Sequence, residues 1–148
     1  MTVSSAVIKV LVINENIREN EDPERMSPAL AIKESLDHFF KLSGNNGFIL
    51  EAVTIIGSPK AAIDKLAEFK PDIVLIDCWG LENVKFDDLI IQLQISPDGP
   101  KKIIPINIDP IYHKNILTST QNRCFKYTEK DSNSLAKLVD ILENIQKG

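Results

Sequence analysis

The chain has 148 residues, a length that suits one domain with a full hydrophobic core. Its hydrophobic fraction of 43% and charged fraction of 26% are ordinary for a globular protein, and its net charge of −4 argues against a nucleic-acid-binding surface. No apolar run approaches the roughly 20 residues that span a bilayer, and the N-terminus lacks the basic region of a secretory signal. With Cys78 and Cys124 far apart and in no CxxC pattern, we expect one cytoplasmic domain over residues 1–148, with neither a nucleic-acid nor a membrane partner.

Short apolar runs along the chain predict β-strands. The first, residues 7–13, is rich in β-branched residues, which is typical of a strand buried on both faces. Pro105 lies in the fourth run and lacks a backbone donor, so that run suits a strand end or a sheet edge. The other predicted strands cover residues 49–56, 73–76, 101–108 and 124–127.

Helical patterns lie between the predicted strands. Ser27-Pro28 and Ser58-Pro59 each look like a capping serine followed by proline at the first helical position. The predicted apolar stripe of the first helix consists of Leu30, Leu36, Phe39 and Phe40. The second stripe consists of Ile63, Leu66 and Phe69, and that of the last helix of Leu135, Leu138, Val139 and Leu142. The remaining helices are predicted over residues 86–93, 112–120 and 134–146, the last capped by Asp131 or Ser132.

Alternating strands and helices predict the fold class. Right-handed crossovers between successive strands give a parallel sheet covered on both sides. Five strands and five helices in this length predict an α/β protein with a flavodoxin-like, doubly wound, five-stranded parallel sheet and helices on both faces. In such sheets the functional site lies beyond the C-terminal ends of the strands.

Polar residues follow the predicted strands at that edge. Asp77 directly follows the third strand, and a carboxylate beside so much apolar surface is costly unless it is paired or used. The first strand leads into Asn14 and Glu15, the fourth into Asn107 and the fifth into Thr128. If Glu15 and Asp77 face each other in one cleft, a hard cation such as Mg²⁺ would relieve their repulsion. The alternative is a pair of partly solvated acids that cap backbone amides, and the spacing alone leaves both open.

Three segments carry a resemblance to a known family. They read, in chain order, IKVLVINEN, PDIVLIDCWG and CFKYTEKDSNSLAKLV. Together they resemble the receiver domain of two-component response regulators, over residues 8–145. The most specific part is PDIVLID, which ends on Asp77.

The resemblance implies a set of site residues. Asp77 stands at the phosphoacceptor position. Mg²⁺ would be held by Glu15, Asp77 and the backbone carbonyl of Trp79, with Asn14 as a weak ligand at the position of the first acid. Phe125 matches the aromatic switch of the fifth strand.

Other positions depart from the family pattern. Asn14 is an amide where receivers have an acid, and Asn107 replaces the hydroxyl residue that senses the phosphoryl group. Thr128 stands in place of the lysine that meets the phosphoryl oxygens, although Lys130 lies two residues further on. These departures predict weak Mg²⁺ binding and slow phosphorylation, or none.

Two readings of the function follow from the resemblance. The first is a stand-alone, atypical receiver in a phosphorelay: not an enzyme, but a partner of a histidine kinase or another signalling protein. The second is a pseudo-receiver, an interaction module of the same fold that works without phosphorylation. A flavodoxin-like small-molecule-binding domain is a third alternative, and a homodimer is left open. The charged segment 15–27 is either a lid or partner-binding element over the acidic edge, or a solvated loop.

Overall fold

The structure, a computed structural model, describes residues 7–15, 28–55, 58–77, 83–106 and 132–148. Its strands are β1 (Ile8–Glu15), β2 (Phe48–Ile55), β3 (Ile73–Asp77) and β4 (Lys102–Ile106). Its helices are α1 (Pro28–Ser43), α2 (Lys60–Phe69), α3 (Asn83–Ile95) and α4 (Ser132–Lys147). The predicted strand at 124–127 and the predicted helix at 112–120 lie outside the described residues.

The described strands form one parallel sheet in the order β2-β1-β3-β4. All five residues of β3 are buried, as expected for a strand with neighbours on both sides and both faces covered. The predicted α/β class with a parallel sheet is therefore confirmed, with four of the five predicted strands within the described part of the chain.

Each face of the sheet has its own hydrophobic cluster, because alternate residues of a strand point to opposite faces. On β1, Val10 and Val12 pack with residues of α1 and α4. Leu11 and Ile13 pack on the other side with residues of α2 and α3. We call these sides the α1/α4 face and the α2/α3 face.

The buried stripe of α1 differs from the predicted one. Leu36 and Phe40 are buried as expected, and Phe40 stacks on Phe48 with 4.6 Å between ring centroids. Leu30 and Phe39 are each 36% exposed, so their predicted place in the stripe is wrong. Each lies one residue, about 100° of rotation, from a residue that does face the sheet. The buried positions, at spacings of three and four, are Ala29, Ile32, Leu36 and Phe40.

The start of α2 also differs from the prediction by one residue. The helix begins at Lys60, so Pro59 is the N-cap rather than the first helical residue. The Pro59 carbonyl accepts the first helical hydrogen bond from the Ile63 N–H, at 3.0 Å. Ser58 Oγ accepts a hydrogen bond from the Lys60 N–H at 3.4 Å, but Ser58 lies one residue before the N-cap, so the predicted serine cap is wrong in its position.

The other helix boundaries are close to their predictions. α1 begins at Pro28, as predicted. α3 begins three residues before its predicted start and ends two residues after its predicted end, and α4 begins two residues earlier and ends one residue later than predicted. α2 ends at Phe69, and its C-cap residue Lys70, which has a left-handed backbone (φ 52°), donates its N–H to the Leu66 carbonyl just before Pro71. None of the helices in the described ranges is long and apolar enough to cross a membrane.

Candidate functional site

Strand register brings three polar residues into one row at the C-terminal edge of the sheet. Thr54 of β2 lies opposite Asn14 of β1. Ile13 of β1 lies opposite Ile76 of β3, so the residues that follow them, Asn14 and Asp77, are neighbours. We call Thr54, Asn14 and Asp77 the edge row.

The edge row lies on the α1/α4 face. Asn14 continues the alternation that places Val12 in the α1/α4 cluster, and Asp77 likewise follows Leu75. Ile106 lies opposite Asp77 on β4 and belongs to the same cluster, so it bounds the row with apolar surface. Asn14 and Asp77 are 4% and 3% exposed, and they are the buried polar residues of the described chain.

Asn14 acts as an acceptor for the start of α1. Its Oδ1 accepts a hydrogen bond from the Ala29 N–H at 3.3 Å and another from the Thr54 hydroxyl at 2.8 Å. Ala29 is the second residue of α1, where backbone N–H groups have no partner within the helix. Asn14 therefore fastens the first turn of α1 to the edge of the sheet. Sequence reasoning missed this role, because no local signal joins residues 14, 29 and 54.

Glu15 is the last residue of β1 and pairs in register with Ile55. Strand alternation turns its side chain towards the α2/α3 face, whereas Asp77 belongs to the α1/α4 face. The expected meeting of Glu15 and Asp77 in one cleft stays a prediction, and strand alternation argues against it.

The described residues do not fit a Mg²⁺ site. Mg²⁺ needs several oxygen ligands in octahedral geometry, and the one ligand oxygen of the Asn14 side chain already accepts two hydrogen bonds. Glu15 lies on the strand position that alternates away from Asp77. Within the described ranges, no group of three or more His, Cys, Asp or Glu side chains is placed to hold a metal ion.

The other predicted site residues lie outside the described residues. These are Trp79, Asn107, Phe125 and Thr128, together with most of the charged segment 15–27. Their predicted roles as ligand, sensor, switch and lysine replacement stay predictions.

Comparison with family models and with curated proteins identifies no relative of this chain. No protein-family model matches the chain, and a search of curated proteins finds no match. The likeness to receiver domains therefore rests on the sequence motifs quoted above.

Proposed function

We propose that this protein is an atypical receiver-like domain in signal transduction, with Asp77 at the phosphoacceptor position. It acts through contacts with a histidine kinase or another signalling protein. The observation that carries the proposal is the place of Asp77, a buried acid at the C-terminal end of β3, between β1 and β4. This is the edge where parallel α/β sheets collect their functional residues.

The proposal includes a flavodoxin-like sheet. The described order, β2-β1-β3-β4, is the first part of the 2-1-3-4-5 order of that fold. Residues 124–127 would supply a fifth strand beside β4. The edge row would then lie near the centre of a five-stranded sheet, at the C-terminal edge of the strands. A partner protein could approach the row from that edge.

A pseudo-receiver, which signals without phosphorylation, is the second candidate. It is favoured by the hydrogen bonds of Asn14, which give the position of the first acid a structural task at the start of α1. Thr128, in place of the usual lysine, removes a charge-assisted hydrogen bond worth about 1.5–3 kcal/mol. Both features slow or abolish the phosphorylation of Asp77. The atypical receiver and the pseudo-receiver therefore differ in whether any phosphorylation remains.

Intact mass after incubation with acetyl phosphate distinguishes the candidates. In a phosphoacceptor, an Asp77 carboxylate oxygen forms a bond to phosphorus while acetate leaves, which adds one phosphoryl group to the mass. We expect a single adduct that accumulates slowly in the wild type and disappears in Asp77→Ala. Asp64→Ala removes an exposed acid on α2 and is the matched control, which should keep the adduct.

A wild type without any adduct, while its circular dichroism shows a folded protein, contradicts phosphoryl transfer and supports the pseudo-receiver. An adduct that persists in Asp77→Ala contradicts the assignment of Asp77.

A further inference from the structure

We infer that the edge row holds the Asp77 carboxylate without a divalent cation, with the amide of Asn14 in the place that a metal-binding acid would fill. The inference concerns the same edge as the proposed function. It does not depend on phosphoryl transfer, so the two can fail separately.

The orientation of the Asn14 amide is set by its partners. The Ala29 N–H can only donate, so the atom that faces it at 3.3 Å is the amide oxygen. The Thr54 hydroxyl, on β2, donates to the same oxygen at 2.8 Å. With two donors already on this oxygen, the Asn14 side chain has no further acceptor site to offer a cation.

The charges of the row favour the same conclusion. Thr54 and Asn14 are neutral, and Asp77 is the row's one carboxylate. Two neighbouring carboxylates in a buried site repel each other and need a cation. A single carboxylate beside a neutral amide has no such like-charge repulsion to relieve. The Asn14 amide therefore accepts a hydrogen bond from the first turn of α1 and also gives the buried Asp77 carboxylate an uncharged neighbour.

One substitution isolates the charge. In Asn14→Asp, a carboxylate oxygen can still accept from Ala29 and from Thr54, and a negative charge at a helix N-terminus is favourable. The variant adds a second carboxylate beside Asp77. We expect it to create a dependence on divalent cations that the wild type lacks.

Thermal unfolding in 10 mM MgCl₂ and in EDTA, at matched ionic strength, tests the inference. The wild-type Tm should differ by less than about 1 °C between the two conditions. The Tm of Asn14→Asp should rise by about 3–6 °C in Mg²⁺, as expected for a cation bound at a Kd of about 1 mM. The double variant Asn14→Asp/Asp77→Asn has one carboxylate again and should lose that rise.

Two outcomes overturn the inference. One is a wild-type Tm that rises by several degrees in Mg²⁺ and loses the rise in Asp77→Asn. The other is a folded Asn14→Asp variant whose Tm is the same in MgCl₂ and in EDTA. If Asn14→Asp does not fold, calorimetric titration of the wild type with MgCl₂ decides: no binding heat up to 10 mM supports the inference, and heat that Asp77→Asn abolishes refutes it. Neither measurement requires a phosphoryl adduct, so a failure of the proposed function is seen separately.

Discussion

The role of Asn14 is decided by the residues around it. Asn14 stands at the sequence position of the first acid of receivers, which predicts a weak metal ligand. In the structure its oxygen is shared by the Ala29 N–H and the Thr54 hydroxyl, and the side chain is 4% exposed. A buried polar group must be hydrogen-bonded to be tolerated, and here the partners come from a helix 15 residues away and a strand 40 residues away.

Replacement of Thr54 tests this arrangement at the scale of a single residue. Thr54→Val keeps the shape of the side chain but removes the donor to Asn14, and we expect a loss of about 1 kcal/mol in the free energy of unfolding. Thr54→Ser keeps the hydroxyl and should lose less than half as much. Urea denaturation of the three proteins gives the comparison. Equal losses in the two variants would mean that the methyl group, and not the hydrogen bond, is what matters.

The elements are joined by a second polar contact, at the opposite end of α1 from Asn14. Asn45, in the turn between α1 and β2, donates to Glu143 at 3.1 Å and to Gln146 at 3.0 Å, both on α4. Gln146 donates back to the Asn45 oxygen at 3.2 Å. Gly47 leaves room for this pair, because a Cβ there would collide with the Gln146 amide. The turn thus holds the last turns of α4 in place.

Removal of the Asn45 side chain should loosen the end of α4. We expect Asn45→Ala to reduce the free energy of unfolding by about 1–2 kcal/mol, because it removes several partly buried hydrogen bonds. Amide hydrogen exchange near residues 143–147 should accelerate more than exchange in α2. Gln92→Ala, which removes an exposed bond to Asp88, is the control and should change neither quantity. Unchanged exchange at the end of α4 in Asn45→Ala would show that packing alone holds the helix.

At the scale of the whole molecule, one sheet supports two hydrophobic clusters. Alternate residues of β1 and β3 belong to the two clusters. Each cluster therefore needs the same paired strands as the other. Leu36 of α1 and Leu66 of α2 are fully buried on opposite faces. We therefore expect the described part of the molecule to unfold as one cooperative unit.

Truncations on the two faces test that cooperativity. Leu36→Ala and Leu66→Ala should each reduce the free energy of unfolding by about 2–5 kcal/mol and shift a single transition. Leu42→Ala, at a side chain that is 74% exposed, should shift it by less than about 0.5 kcal/mol. Calorimetry and far-UV circular dichroism should give coincident transitions for all four proteins. A second transition in either core variant would show that the two faces unfold independently.

Much of the fold could be predicted from the sequence. The four described strands lie within two residues of the predicted runs, because continuous apolar, β-branched segments are what burial on both faces requires. Helix faces were less predictable. On α1, Ala29 and Ile32 turned out to be buried while Leu30 and Phe39 are partly exposed, because large apolar side chains lie on both sides of the stripe.

By itself the sequence determined the alternation of elements and the place of Asp77, because a strand's own apolar run shows where the strand ends. Only the tertiary structure decided what surrounds that acid. The strand order puts Asn14 beside Asp77, the register puts Thr54 beside Asn14, and α1 brings the Ala29 N–H to the Asn14 side chain. These contacts join residues far apart in the chain, and hydrogen bonds between such residues exist only once the strands have paired and the helix has packed.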